Sequence, residues 1–350
     1  TPMLNRRQRQ MCIRDRDNRV TVIAVKGFPK PSMAVARLLQ QLGLPPAQGD
    51  LMQTALSMFG EAPASYSSKL NLKLEPDMRA DMATKVIMHR LLDIILQNEA
   101  GTRIGTDTEF LHDYRVAIRR TRSALSQIKS VFPKQIVDRY KTEFAWLGQI
   151  TSPSRDLDVY LLTFDKYRDS LPASMQADIE PLRDFLIRHQ KLENKALVKA
   201  LDSARYRRLI EGWRNFLEQP VNDRSTLKNA GRPVIEVACA RIWRIYRVAL
   251  KEGNAIHADS PAEALHELRK TCKKLRYLME FFQSLYPASD IKDLIRALKT
   301  LQDNLGDFQD YEVQVLTLKK FSHQMVAEGQ VPPDTLLAMG ILIDGLERRQ

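Results

Sequence analysis

Hydrophobic positions recur every three or four residues through most of the chain after residue 76, which is the spacing of helices that bury one face. Proline, glycine and polar clusters interrupt this spacing and predict the helix ends. No strand pattern occurs in this part of the sequence, so the predicted fold is all-α. The predicted helices are Asp77–Ala100, Asp107–Val131, Lys134–Ile150, Ser154–Ser170, Ala173–Ala200, Arg205–Leu217, Gly231–Glu252, Pro261–Leu285, Ser289–Asn304, Asp307–Val326 and Pro333–Arg348.

The first 76 residues have a different pattern. Val20–Gly27 is rich in β-branched residues and predicts one short strand, and Pro31–Leu42 predicts a short helix that ends before Gly43. Residues 17–60 are therefore interpreted as a short appendage or the remnant of an upstream domain, and residues 61–76 as a linker. Residues 1–16 resemble the translation of a sequencing adapter and are interpreted as a non-native segment.

One stretch of the helical part occurs twice. Leu111–Pro133, LHDYRVAIRRTRSALSQIKSVFP, returns as Leu265–Pro287, LHELRKTCKKLRYLMEFFQSLYP, with an offset of 154 residues. A period of this length is too long for a solenoid and is typical of a duplicated helical bundle. We therefore predict two pseudo-symmetric antiparallel bundles, covering residues 77–220 and 230–350.

Each copy of the repeat places cations along one side of a helix. At 100° per residue, hydrophobic side chains occupy the opposite side. Like charges three or four residues apart cost a helix about 0.2–0.5 kcal/mol per pair, so an uninterrupted cationic row favours an external anion as its partner. The rows are His112, Arg115, Arg119 and Arg122 in the first copy, and His266, Arg269, Lys273 and Arg276 in the second.

Further basic residues extend these two rows. Arg120 and Lys274 lie at the edge of the rows, and Arg90 and Arg244 occupy equivalent positions in the preceding helices. The alternative for all of these cations is a solvated helix face, or ion pairs with neighbouring helices. Arg241, Arg244, Arg247 and Lys251 form another basic set, and the intervening Trp243 and Tyr246 are assigned to the core.

Histidines and aspartates near the rows have two interpretations each. His112 and His266 are phosphate ligands, or else histidines at a helix start that bond to a carboxylate or a backbone group. Asp156 and Asp310 are also 154 residues apart, and we expect them to orient arginines of the cationic helices rather than to bind metal or act as general bases.

The composition agrees with a polyanionic partner. Lys and Arg number 54 against 42 Asp and Glu, a formal net charge of +12. The three cysteines have no metal-ligand spacing, which favours a reducing, cytoplasmic setting. No apolar run approaches the roughly 20 residues of a membrane span. No nucleophile constellation, phosphate loop, metal motif or aromatic platform for single-stranded nucleic acid is recognised, so neither catalysis nor a metal nor another cofactor is expected.

The duplicated motifs resemble those of the CHAD family, the conserved histidine α-helical domains. The motifs are His112-x-x-Arg115 with Arg119-Arg120-x-Arg122, and His266-x-x-Arg269 with Lys273-Lys274-x-Arg276. The resemblance covers roughly residues 75–350. It implies two helical bundles, a basic surface that binds inorganic polyphosphate through these histidines and basic residues, and association with intracellular polyphosphate granules.

CHAD domains often follow a CYTH-type triphosphatase domain, and Val20–Phe59 resembles what would remain of one. The Glu-x-Glu-x-Lys strand of such phosphatases does not occur in this chain. We therefore expect a non-enzymatic polyphosphate-binding module. The alternatives are the accessory half of a phosphatase acting on triphosphate or polyphosphate, and a nucleic-acid binder without sequence preference.

Overall fold

The computed structural model describes residues 29–44, 67–68, 70–257, 259–329 and 331–348, without the side chains of residues 29–33, 36 and 307–310. The predicted strand Val20–Gly27 and the non-native segment 1–16 lie outside these ranges. The chain divides into two units, Thr1–Tyr66 and Ser67–Gln350. In the first unit, helix α1 covers Pro29–Gln41 and is followed by Gly43, whose φ of 80° is in the left-handed region.

The second unit is built from α-helices, as the hydrophobic spacing predicts. Its described part contains two short 3₁₀ turns and one isolated β-bridge, between Arg79 and Pro233. The helices are α2 (Ala80–Ile104), α3 (Thr108–Gln127), α4 (Lys134–Ile150), α5 (Ser152–Asp169), α6 (Glu180–Leu201), α7 (Ala204–Glu218), α8 (Val234–Asn254), α9 (Ala262–Phe281), α10 (Ala288–Ala327) and α11 (Pro333–Glu347).

Two predicted helix ends were wrong because a glycine was taken as a stop signal. Helix α2 continues through Gly101 to Ile104, and the residue that ends it is Gly105, which has a φ of 70° and donates to the Gly101 carbonyl. The predicted break at Leu305-Gly306 does not occur either, since α10 is one helix of 40 residues. A single glycine costs a helix only about 1 kcal/mol, which neighbouring packing readily offsets.

The buried side chains form two large clusters. The larger cluster combines α2, α3, α4, α7, α8, α9 and the end of α6, with Ile87, Tyr114, Trp213 and Phe281 fully buried. The second combines α5, α6, α10 and α11 around Phe164, Phe185 and Leu318. Each cluster contains helices from both predicted bundles, so the two sequence halves depend on each other for their cores.

A reciprocal backbone contact joins the two halves. Ala80 donates its N–H to the Arg232 carbonyl at 2.8 Å, and Val234 donates to the Met78 carbonyl at 2.8 Å. The two donors are 154 residues apart, and so are the two acceptors, which is what a local two-fold axis would produce. Helices α3 and α9 also begin 154 residues apart, at Thr108 and Ala262. The internal duplication itself stays a prediction.

None of the helices in the described ranges is both long enough and apolar enough to cross a membrane.

Candidate anion-binding groove

A basic groove of about 380 Å³ lies where the two cationic helices, α3 and α9, pack against each other. Helix α4 adds one lysine to its lining. None of the described residues that line it is acidic, and six of the ten are cations. The lining residues are Arg119, Arg122, Ser123, Ser126, Gln127, Lys141, Lys270, Lys273, Lys274 and Tyr277.

Several of the groove cations are not neutralised within the described part of the chain. Arg119, Arg122 and Lys141 are exposed, Lys274 is partly exposed, and none of the four forms an ion pair with a described residue. Lys270 pairs with Glu267 at 2.6 Å on the solvent side. Because a concave surface lined by one sign of charge concentrates the opposite sign, this groove attracts anions.

The structure brings together only part of the predicted site. Arg115 lies outside the groove lining and donates to the Gly148 carbonyl at 3.0 Å, to Thr151 Oγ1 at 2.7 Å and to Ser152 Oγ at 3.1 Å. Burial, with the Arg119 charge next in importance, lowers the pKa of Arg115 to about 10. Arg115 thus fixes the junction between α4 and α5 to α3.

Arg269, the equivalent of Arg115, has a similar position in the second half. Its guanidinium lies over Gly306 of α10, so close that a Cβ built on the glycine would be 2.7 Å from Arg269 Nη2. A side chain at residue 306 would displace the arginine, which gives a packing reason for glycine at this point of a continuous helix. Arg269, like Arg115, therefore lies at a helix crossing, in this case the one between α9 and α10.

Two further predicted ligands are held by one carboxylate. Glu280 accepts from Arg120 at 2.8 Å and from Arg276 at 2.7 Å, and all three side chains are largely buried. Arg276 also donates to Gln302, and both guanidiniums lie over the Tyr277 ring. These contacts match the ion-pair alternative considered for the cationic rows, and they join α3 to α9 beside the groove.

His112 is half-buried at the start of α3 and faces Arg155 rather than the groove. Arg155 Nη2 lies 3.0 Å from His112 Nδ1, which therefore accepts the hydrogen bond in the unprotonated form. Burial first, and the charge of Arg155 second, lower the pKa of His112. The partner predicted by the alternative interpretation was a carboxylate or backbone group, and the structure provides a guanidinium instead.

The other predicted residues are dispersed. Asp156 forms no ion pair with a described residue, although the charges of Arg115 and Arg155 partly oppose the rise in its pKa that burial causes. Arg90 donates to the Ser67 carbonyl at 2.6 Å. Arg244 is exposed on α8, His266 is partly exposed on α9, and the side chain of Asp310 lies outside the described residues.

The assignment of Trp243 and Tyr246 to the core was wrong. Trp243 is 59% exposed and Tyr246 is 38% exposed, whereas Arg241 is buried and Ile242 and Ile245 pack against the core. Arg241 donates to Gln127 Oε1 at 3.3 Å. The aliphatic residues of α8, among them Val237, Ile242 and Ile245, lie on the side that is buried. The prediction was wrong because it counted the two aromatic residues as core residues although they lie on another side of the helix.

Lys141 and Lys270 line the groove and were not predicted. The position equivalent to Lys270 in the first copy is Val116, so the repeat gives no signal for it. Lys141 lies on α4, which does not carry either of the two predicted cationic rows. No group of three or more potential metal ligands occurs among the described residues.

These features define a class of protein: a helical unit with a concave basic surface formed where two cationic helices pack against each other. The chain belongs to the CHAD domain family, whose model matches residues 86–319. The fold is similar to the crystal structure of the CHAD domain from the plant Ricinus communis, with a TM-score of 0.66 and 25% identity, covering 82% of this chain and 93% of that one. PptA from Streptomyces chartreusis shares the fold at 14% identity and a TM-score of 0.57, covering 77% of this chain and 94% of that one.

Two uncharacterized proteins of Mycobacterium tuberculosis, from strains CDC 1551 and H37Rv, are 26% identical over 299 residues. The match covers 82% of this chain but 56% of each relative. The chain therefore spans little more than half the length of these relatives.

Proposed function

We propose that this protein binds inorganic polyphosphate in the groove between α3 and α9, and that it does so without catalysing a reaction. The observation that carries the proposal is the lining itself, six cations with no acidic residue among the described lining side chains. Membership of the CHAD domain family supports the same ligand. A cytoplasmic location at polyphosphate granules belongs to the same proposal.

The two walls of the groove suit a flexible chain of phosphates. Arg119 and Arg122 on the α3 wall can each contact two phosphate oxygens through the planar guanidinium, whereas Lys273 and Lys274 on the α9 wall act as compact charges. Each exposed contact contributes only about 0–1 kcal/mol, so tight binding requires several contacts at once. A polymer provides them because it reaches both walls.

Arg115, Arg120 and Arg276 have a supporting role in this proposal. Their guanidiniums already bond to Thr151, Glu280 and Gln302, so they hold the helices that form the walls rather than meet phosphate. The groove cations without an ion pair to a described residue are the ones expected to bind. They include Lys141, which extends the positive surface beyond the two predicted rows.

The test is the binding of long-chain polyphosphate by the variant Arg119→Ala/Arg122→Ala/Lys274→Ala over a salt series. Loss of three contacts should weaken binding about tenfold or more at physiological salt. The slope of log affinity against log salt should fall by roughly 2, since each phosphate contact on a single strand contributes about 0.7 to it. Fluorescence anisotropy with end-labelled polyphosphate measures both quantities.

The matched control is Lys191→Ala/Lys195→Ala/Lys199→Ala, which removes three exposed lysines from α6 and the same total charge. Binding by this variant should stay within about twofold of the parent. The proposal is wrong if the two variants lose the same affinity, because total charge would then account for binding, or if the groove variant, still folded by circular dichroism, binds like the parent.

A further inference from the structure

An aromatic pair lies open to solvent on α8. The rings of Trp243 and Tyr246 have their centroids 5.5 Å apart and are inclined by 33°. Trp243 is 59% exposed, whereas Trp213 in the core is completely buried. A pair of rings this exposed is unusual for a fold that buries most of its large aromatic side chains, and it offers a flat apolar surface to a ligand.

A row of cations runs beside the two rings. Arg244, Arg247 and Lys251 are exposed, and no acidic residue occurs between Glu236 and Glu252. At 100° per residue, these cations occupy the sector next to that of Trp243 and Tyr246. At about 1.5 Å of rise per residue, successive cations are about 4.5 and 6 Å apart along the helix. The face therefore has two parallel stripes, one aromatic and one cationic.

We propose that this face of α8 binds single-stranded nucleic acid. Unpaired bases would stack on Trp243 and Tyr246 while the phosphates follow Arg244, Arg247 and Lys251. Stacking on aromatic side chains with a basic track for the backbone is how proteins hold single strands without reading their sequence. Phosphate alone gains nothing from exposed rings, so polyphosphate binding does not account for this surface.

Duplexes fit the same face less well. Their bases are stacked on each other and have no free π-face, so a duplex could use only the cationic stripe. An anionic membrane surface also combines aromatic and basic contacts, but it would require a wide apolar sector to bury. The sector of Trp243 and Tyr246 is bordered directly by Arg247. Leu250, which is 44% exposed, lies between the two rings at this spacing, and the three side chains span about 60° of the helix surface. A sector of this width favours individual bases over a lipid layer.

The test compares the parent with Trp243→Ala/Tyr246→Ala and with Trp243→Phe/Tyr246→Phe, using the full chain. The probes are a fluorescein-labelled oligodeoxythymidine of about 20 nucleotides, the same sequence as a duplex, and long-chain polyphosphate. Because base–aromatic stacking contributes to each contacted base, the alanine variant should bind the single strand about tenfold or more weakly. The phenylalanine variant, which keeps both rings, should stay within about threefold of the parent.

Polyphosphate and the duplex are control probes that distinguish binding by base stacking from binding by charge alone. Both should bind the alanine variant as they bind the parent, because neither uses the rings. The tryptophan emission of the parent should also be quenched by the oligonucleotide, with the quenching largely lost in the phenylalanine variant.

Four outcomes would overturn the assignment. One is unchanged single-strand affinity in the alanine variant, and a second is an equal loss for polyphosphate. A third is ring-dependent binding to phosphatidylglycerol vesicles without ring-dependent binding to the oligonucleotide. The fourth is self-association on gel filtration that needs the rings while oligonucleotide binding does not.

Discussion

Arginines on the same face of α3 have different partners and differ in how far their charge is exposed to solvent. Arg119 and Arg122 are exposed, Arg115 is half-buried against the start of α5, and Arg120 forms an ion pair with Glu280. Their Cα atoms lie within two turns of one helix. What separates them is the neighbouring element that each side chain meets, which decides whether its charge remains available to an anion.

The protonation of His112 should make the stability of the protein depend on pH. Its folded-state pKa is lowered from 6.5, so the unfolded chain takes up this proton more readily. The stability that neutral His112 contributes is fully present above about pH 6.5 and is lost as the pH falls through the lowered value. His112→Gln should reduce the loss of unfolding free energy between pH 7 and pH 5, because glutamine can accept from Arg155 without titrating.

Urea denaturation at pH 7, 6 and 5 measures this effect. His323→Gln, which removes an exposed histidine from α10, is measured in parallel as the control. If the parent and His112→Gln lose the same free energy over this range, then His112 does not link protonation to folding.

The sequence could predict the basic face but not which of its cations are paired within the fold and which line the groove. Periodicity showed which residues of α3 and α9 share a face, and four of the six groove cations were among them. Nothing in the repeat pattern indicated that Glu280, 160 residues away, would form an ion pair with Arg120. Such pairing depends on packing between distant elements, which a repeat pattern does not contain.

At the scale of elements, the corner between α2 and α3 is built around a glycine. The ring of Phe110 covers Gly101, and a Cβ built there would lie 2.2 Å from the ring. Gly101→Ala should therefore lower the free energy of unfolding by about 1–3 kcal/mol, since the ring must leave its place. Without the clash, alanine would favour the helix by up to about 1 kcal/mol.

A double-mutant cycle distinguishes these two effects. In a Phe110→Ala background, Gly101→Ala should become neutral or stabilising, as measured by urea denaturation. A destabilisation of the same size in both backgrounds would show that the ring is not the cause.

Helix types were easier to predict than helix ends. The amphipathic spacing gave α3 from Asp107 onward, and the structure begins it at Thr108 with Asp107 as the N-cap. Gly101 and Gly306 were wrongly predicted to end helices. Glycine is favoured both at a left-handed helix cap and at a point inside a helix where another side chain approaches closely. The two cases differ in backbone φ and in what approaches the Cα, neither of which is visible in the sequence.

The whole second unit should fold as one body, because each of its two large buried clusters contains residues from both halves of the sequence. Val234, Val237 and Phe281 complete the cluster that Ile87 and Tyr114 begin. Fragments 67–224 and 225–348 should therefore each lack a cooperative thermal transition. Their mixture should recover helical circular dichroism and melting, since the missing apolar partners are restored. A parent-like transition in fragment 67–224 alone would contradict this prediction.

Helix α10 also has a mechanical consequence. At 1.5 Å per residue its 40 residues form a rod about 60 Å long. Ile291 near one end packs against α9, and Leu318 and Met325 near the other end belong to the second buried cluster. In the first half, α4 and α5 cover the equivalent path as two helices that meet at Thr151. A displacement of α9 would thus be carried along one continuous helix, whereas a displacement of α3 would be passed on through the junction of α4 and α5, which Arg115 bonds to α3.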